Sequence, residues 1–194
     1  MLRVTWEWLG SDPALDVANT VAISNGEPHD LLAPEGEFER WATEASARSP
    51  WLGPDAQALL MKARPQVLEL RTRIRQVLAA AAADDQLPAA AVAELNHASR
   101  TAPGWLALDR DGTLGERTDA GAIDRLLAEY ARSAMRIAAE GKARLRTCPA
   151  PSCGMYYRPT RQDQHWCSVE CGTRARVARH SRRRRRVHPR GSRS

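Results

Sequence analysis

The segments Cys148-Pro-Ala-Pro-Ser-Cys153 and, thirteen residues later, Cys167-Ser-Val-Glu-Cys171 contain all four cysteines of this 194-residue chain. Each pair can close a short turn, and two such turns can offer four sulfur ligands to one tetrahedral ion. Thiolate ligands in tetrahedral geometry are typical of zinc. The spacing therefore predicts a zinc site formed by Cys148, Cys153, Cys167 and Cys171.

Other uses of these cysteines fit the sequence less well. Two disulfides would require secretion, but Glu7 interrupts the apolar core that a signal peptide needs in the opening MLRVTWEWLG. A redox pair normally has C-x-x-C spacing, which neither pair has. Replacement of one cysteine ligand by His165 or His180 remains open.

The charge of the chain is divided between its two parts. Residues 1–140 carry 14 basic and 21 acidic side chains, net −7, whereas residues 141–194 carry 15 basic and two acidic ones, net +13. The whole chain has a formal charge of +6. A basic end on an acidic body predicts that the end binds a polyanion, while the body does something else or neutralises it.

The sequence contains no signal for a membrane span or a known catalytic motif. The longest apolar run, Val77 to Ala83, is far shorter than the roughly 20 residues that cross a bilayer, so we expect a cytoplasmic protein. G-x-S-x-G, H-E-x-x-H and phosphate-binding glycine loops are all missing. We therefore expect no enzymatic activity.

Residues 1–141 are predicted to form a mainly helical domain with a small antiparallel sheet. Alternation over Leu2–Leu9 predicts a short strand, Ala14–Ile23 a helical segment, and Ser24–His29 a loop. The helical segment holds Asp16 and Asn19, polar residues that either join a buried hydrogen-bond network or line a ligand pocket. As a pocket, they would bind a small-molecule effector.

The next segments contain apolar residues at the spacing of a helix face. Phe38, Trp41 and Ala45 share one helix face, and Pro65 divides the next helical region in two. The second part has an apolar stripe, with arginines predicted to form a solvated face beside it. The stripe comprises Val67, Leu70, Ile74, Val77 and Leu78, and the arginines are Arg71, Arg73 and Arg75.

Further along, Asp111-Gly112 predicts the turn of a two-stranded hairpin within residues 104–118, to which the N-terminal strand could add. A long helix then ends at Gly141. The chain enters the cysteine region directly from this helix, so the linker is short and can hold the two parts rigidly together.

The cysteine region, residues 142–181, is predicted to form a treble-clef-like zinc finger. Cys148 and Cys153 lie on a turn, a short hairpin follows, and Ser168 caps a helix that carries Cys167 and Cys171 at its start. The core is too small to fold without the ion. The overall prediction is a mainly α, or α+β, chain, with residues 182–194 forming a basic, disordered tail.

The finger helix has a strongly basic face, which matches the electrostatic footprint of phosphate contact. Its ordered part could present side chains to base edges, and the following arginine run could instead be a non-specific tail. The residues predicted to bind nucleic acid are Arg174, Arg176, Arg179, His180, Arg183 and Arg184.

The chain also resembles a known family. Trp166-Cys167-Ser-Val-Glu-Cys-Gly-Thr-Arg174-Ala-Arg176, with Cys148 and Cys153-Gly154 before it, is similar to the CGNR zinc finger of bacterial transcription regulators. Leu15-Asp-Val-Ala-Asn-Thr20, with Trp41, resembles the ABATE domain of the stress-induced transcription regulators that carry this finger. Thr173 stands where the family has Asn, and the second cysteine pair is one residue closer than usual.

The resemblance implies a stress- or ligand-responsive regulator with an N-terminal sensory part and a DNA-binding finger. Three classes stay open: a DNA-binding transcription regulator, an RNA- or ribosome-associated protein using the same helix, and a small-molecule-binding or enzymatic domain with a structural finger. The first is our main prediction. The operator, the effector and the oligomeric state do not follow from the sequence.

Overall fold

The computed structural model of the protein describes residues 6–9, 12–49 and 53–187, excluding the side chains of Lys142 and residues 182–187. It is mainly helical, with three two-stranded antiparallel sheets in these ranges. In chain order the elements are α1 Pro13–Ala18, β1 Val21–Ser24, β2 Glu27–Asp30, α2 Glu37–Arg48, α3 Ala56–Lys62, α4 Arg64–Ala83, α5 Ala89–Arg100, β3 Trp105–Leu108, β4 Leu114–Arg117, α6 Ala122–Glu140, a 3-10 turn Gly141–Ala143, β5 Arg146–Thr147, β6 Tyr156–Tyr157 and α7 Val169–Val187.

Two long helices, α4 and α6, form the centre of the helical body, which we define as residues 12–141. All five residues of the predicted α4 stripe are buried, and α6 buries Leu126, Tyr130, Ala134 and Ile137 against it. Phe38, Trp41 and Ala45 of α2 are buried as well. The predicted division at Pro65 is confirmed, since α3 ends at Lys62 and α4 begins at Arg64.

Two hairpins extend from the helical body. The predicted hairpin around Asp111-Gly112 is confirmed as β3–β4. The segment Ser24–His29, predicted as a loop, instead belongs to a second hairpin, β1–β2. Its turn is Asn25-Gly26, both with positive φ, which matches the right-handed strand twist of a tight hairpin. The loop prediction was wrong because Asn25-Gly26 is a typical two-residue hairpin turn, with a strand on each side of it.

The expected N-terminal strand is not found in the part of it that the structure describes. Trp6–Leu9 has no strand pairing, and Leu2 to Thr5 lie outside the described residues. The Trp6 and Trp8 indoles both donate to Glu44 of α2, at 3.2 and 3.0 Å. Side-chain hydrogen bonds to a helix thus anchor this segment, where the alternating pattern had indicated a backbone ladder.

Of the three α4 arginines predicted to form a solvated face, Arg73 lies at the surface, but Arg71 and Arg75 do not. Arg71 is only 7% exposed and donates to both carboxylate oxygens of Asp30 and to the Thr20 hydroxyl. Arg75 donates to the carbonyl oxygens of Ala18 and Val21. A buried charge is tolerated when such partners replace water. The prediction failed for these two residues because α1 packs against α4, and the chain from Ala18 to Asp30 supplies the acceptors.

The finger, defined here as residues 144–187, shares one apolar core with the helical body. Leu145, Met155, Tyr156 and Tyr157 of the finger are buried in the same cluster as the body residues. The backbone N–H of Ile23 in β1 donates to the carbonyl of Cys153 at 2.8 Å. The short linker thus leads into a tightly packed junction between the two parts.

Helix α7 is longer than the sequence indicated. It continues to Val187, six residues past the boundary at residue 181 that separated the finger from a disordered tail. Arginine is a good helix former, and no glycine or proline occurs between Thr173 and Val187. Residues 182–187, predicted as part of the tail, therefore continue α7, while residues 188–194 lie outside the described part of the chain.

Within the described ranges, every helix is too short or too polar to cross a lipid bilayer.

Candidate metal centre and nucleic-acid interface

The first cysteine pair lies on a compact turn that joins β5 to β6. The Cys148 N–H donates to the Met155 carbonyl at 2.8 Å, and the Gly154 N–H donates to the Cys148 carbonyl at 3.3 Å. Ser152 and Gly154 both have positive φ, which lets the chain reverse within this short space. These bonds bring the Cys148 and Cys153 side chains to the same side of the turn.

The second pair is placed by the start of α7. The Ser168 hydroxyl accepts a hydrogen bond from the Cys171 N–H at 3.3 Å, as predicted for a helix cap. The Cys167 N–H lies 3.5 Å from the Cys148 sulfur, which links the two turns. The helix start therefore faces the first turn and completes the cluster.

The four sulfur atoms lie within 4.8 Å of one another, and all four cysteines are free. Cys167 Sγ is 3.6 Å from Cys153 Sγ and 3.4 Å from Cys171 Sγ, much longer than the roughly 2.05 Å of a disulfide. A tetrahedron with zinc–sulfur bonds of about 2.3 Å has sulfur–sulfur edges of about 3.8 Å. The disulfide alternative is not supported, and the donor set fits a metal ion.

The close packing of the thiols shifts their ionisation in opposite directions. Hydrogen bonds from Cys153 and then Cys167 lower the pKa of Cys148 to about 2. Hydrogen bonding to Cys148 raises the pKa of Cys153 to about 12, and hydrogen bonding to Cys148 and then Cys153 raises the pKa of Cys167. Four thiolates at this spacing repel one another, so a divalent cation is what allows all of them to ionise together.

Arg174, predicted to contact nucleic acid, lies instead against the cluster. Its Nη2 donates to Cys171 Sγ at 2.9 Å. Partial burial acts to lower the pKa of Arg174, but the hydrogen bond to Cys171 and the cluster charge outweigh burial and raise it. The guanidinium thus offsets part of the negative charge of a four-thiolate site.

Three further residues predicted to bind nucleic acid lie on the described surface of α7. Arg176, Arg179 and His180 are exposed. The Arg176 Nη2 donates to the Thr173 hydroxyl at 3.1 Å, which orients it along the helix surface. Arg183 and Arg184 lie on the same helix, in the segment whose side chains are not described.

Asn19 joins the helical body to the finger. It is fully buried, donates to the Tyr156 carbonyl at 2.9 Å, and accepts from the Tyr156 N–H at 2.8 Å. An amide is the one neutral group that satisfies both backbone groups of a strand residue at once. The structure thus places Asn19 in a hydrogen-bond network, the first of the two roles considered for it.

Asp16 lies near Asn19 in sequence but makes no comparable pair of hydrogen bonds. Its Oδ1 is buried and has no hydrogen-bond partner within the described residues. Burial raises the pKa of Asp16 to about 7, partly opposed by Arg48. Neither Asp16 nor Asn19 lines either of the clefts described next.

Two open clefts lie elsewhere on the molecule. One, of about 790 Å³, is lined by the β4 residues Glu116 and Arg117 together with α6, including Arg125, Leu126 and Glu129. The other, of about 440 Å³, lies beside the start of α7 and is lined by Arg161, His165, Trp166 and Arg176 among others. The second cleft adjoins the predicted nucleic-acid residues.

The protein thus consists of a helical body and a four-cysteine finger that share one core. This is the architecture of a metal-binding finger protein. Residues 11–141 match the ABATE family, described as "Putative stress-induced transcription regulator", and residues 144–184 match the CGNR zinc finger. The chain therefore belongs to the ABATE family and carries a CGNR zinc finger, which confirms the resemblance. A comparison with curated proteins finds no match.

Proposed function

We propose that this protein is a cytoplasmic, zinc-dependent transcription regulator that binds DNA through α7 and uses its helical body for regulation. The single observation that carries this proposal is the continuous helix Val169–Val187, which starts at the four-cysteine cluster and has an exposed basic face. A metal held by the four thiolates fixes the start of this helix, and the arginines supply the charge. The proposal assigns no catalytic activity to the chain.

The geometry of α7 suits a duplex. A single helix presented rigidly by a small metal-bound fold is the common way to place side chains against base edges in the major groove. Arg176, Arg179 and His180 are the exposed candidates for such contacts. Arg174 donates to Cys171, so we assign it to the sulfur cluster and not to the DNA contact. Arg183 and Arg184 continue the same helix and favour the phosphate backbone.

The helical body supports a regulatory role. It contacts the finger through Asn19, Ile23 and the shared core, so a change in its packing reaches the turn that holds Cys153. The cleft of about 790 Å³ beside α6 has the volume of a small-molecule site and is the place we assign to an effector.

The test begins with selection of bound fragments from a random duplex pool, using the full metal-loaded chain. The selected duplex, a scrambled duplex and a structured RNA are then compared at two salt concentrations. We expect preference for the selected duplex and a steep salt dependence on all three. A steep salt dependence without enrichment or preference contradicts specific DNA binding, and preference for the RNA favours the RNA-associated class.

Substitutions locate the contact. Replacing Arg176 and His180 together with alanine is expected to weaken binding to the selected duplex by about 1–3 kcal/mol and to reduce the preference over scrambled DNA. Truncation after Ser181 is expected to weaken binding to both duplexes similarly. Arg100→Ala, at an exposed position of α5 outside both clefts, is the matched control. If truncation alone abolishes the preference, the contact lies in the distal helix instead.

A further inference from the structure

The β3–β4 hairpin exposes an apolar surface that the proposed function does not use. Trp105, Leu106, Leu108 and Leu114 are 48%, 72%, 71% and 62% exposed. Leu106, Leu108 and Leu114 lie on one face of the hairpin and Trp105 on the other, because side chains alternate along a strand. Exposed leucines grouped on one face in this way often mark an interaction site. In the described part of the chain, β3 pairs with β4 alone, so both strands are sheet edges.

The register of β3 against β4 shows which backbone groups of β3 point away from β4. Asp109 N donates to Thr113 O at 2.8 Å, so positions 109 and 113 form a hydrogen-bonded pair. Hydrogen-bonded pairs alternate along an antiparallel ladder, which makes Leu106–Glu116 and Leu108–Leu114 the non-hydrogen-bonded pairs. The backbone N–H and C=O groups of Leu106 and Leu108 therefore point outward, away from β4.

We propose that β3 pairs antiparallel with β3 of a second copy of this chain, about a two-fold axis at Ala107. This arrangement places Leu106 opposite Leu108 of the other copy, and both have outward backbone groups, so four new hydrogen bonds form. The leucine side chains share one face and meet across the axis. The result is a four-stranded sheet with an isologous interface.

Two features favour a second copy over another partner. Trp105–Leu108 has no charged residue, so pairing with itself brings no like charges together, and it lacks the lysine or proline that commonly protects an edge strand. The β4 edge is less suitable, because pairing about Gly115 would place Glu116 opposite Leu114. Pairing of the two edges covers the outward backbone groups of β3 and brings Leu106 and Leu108 of each copy into contact, which makes an interface at the lower end of the size range of specific ones.

The first test measures the mass of the full metal-loaded chain by sedimentation from about 1 to 100 μM, a range chosen for an interface at the lower size limit. We expect a monomer–dimer equilibrium. Leu106→Lys and Leu108→Glu, both at exposed positions, are each expected to weaken dimerisation at least tenfold. Leu87→Lys, an exposed leucine at the other end of α5, is the control and should not change it. A chain that stays monomeric throughout the range overturns the proposal.

A second measurement tests the register. When the Leu106→Lys and Leu108→Glu chains are mixed, the two-fold arrangement places the new lysine opposite the new glutamate and the remaining leucines opposite each other. Mixing should therefore restore dimerisation, whereas dimers through any other surface would not respond. Backbone hydrogen exchange at Leu106 and Leu108 should slow with concentration. Slow exchange in a monomeric chain would mean that the chain's own N-terminal residues cover the edge, which also overturns the proposal.

Discussion

At the scale of single residues, Asp16 shows how burial changes an ordinary carboxyl group. Its pKa is raised to about 7 by burial, and its buried Oδ1 has no hydrogen-bond partner among the described residues. A carboxyl group whose folded-state pKa is raised takes up a proton on folding. Its contribution to stability is therefore most favourable at low pH and is lost as the pH rises toward 7.

Asp16→Asn should remove this pH dependence. We expect the substitution to increase the free energy of unfolding by about 1–3 kcal/mol at pH 8, with a smaller gain at pH 5, because the neutral amide avoids burying a charge. Denaturant unfolding at a series of pH values measures the difference. Asp85→Asn, at an exposed position, is the control with no expected change of profile. Parallel profiles for Asp16→Asn and the unsubstituted chain would contradict the assignment.

Asn19 is a second single residue with a large expected effect, and it lies at the junction between the helical body and the finger. Asn19→Ala leaves the buried N–H and C=O of Tyr156 without their partner, which should lower the free energy of unfolding by about 2–4 kcal/mol. Asn19→Asp retains an acceptor for the N–H but loses the donor, so it should not restore full stability.

Denaturant unfolding of the metal-loaded chain measures both effects. Asn96→Ala on α5, at a partly exposed position, is the matched control and should change stability by less than about 0.5 kcal/mol. A loss for Asn19→Ala no larger than for this control would show that the bridge to Tyr156 contributes little.

At the scale of elements, local sequence signals account for much of the fold. The α4 stripe, the Pro65 division and the Asp111-Gly112 hairpin were predictable because each depends on residues close in sequence. The β1–β2 hairpin carried an equally local signal in Asn25-Gly26. The roles of Arg71 and Arg75 carried none, since their acceptors belong to residues about 40 to 57 positions earlier.

Helix α7 was predictable in part from local sequence signals, and the rest depended on tertiary contacts. Its start was predictable from the Ser168 cap and the cysteine spacing. Its length was not, because a run of arginines can form either a helix or a disordered tail, depending on what fixes its first turn. The separation of Arg174 from the exposed arginines also required the structure, because it depends on where the sulfur cluster lies relative to α7.

At the scale of the whole molecule, the finger and the body fold around one core. The sequence predicted that the core of the finger is too small to fold without the ion. The burial of Leu145, Met155, Tyr156 and Tyr157 among body residues extends this dependence on the ion to the body. The finger and the body are in direct contact at Gly154, where an added Cβ would lie 2.3 Å from the Cγ1 of Ile23.

Removal of the metal from the full chain should therefore destabilise the body as well. We expect a chelator to lower the thermal midpoint of the whole chain and to speed backbone hydrogen exchange at Ile23, whose N–H is bonded to Cys153. Adding zinc back should reverse both changes. If exchange in β1 stays slow while only the finger loses protection, the two parts are independent.

The sequence alone predicted the four-cysteine cluster, the division of charge and most helices, because each depends on spacing, composition or periodicity within a short segment. The tertiary structure alone decided that Asn19 bridges to Tyr156, that Arg174 neutralises the cluster, and which apolar residues of β3–β4 stay uncovered. These features depend on which distant segments pack together, and no local pattern specifies the partner that a buried polar group finds.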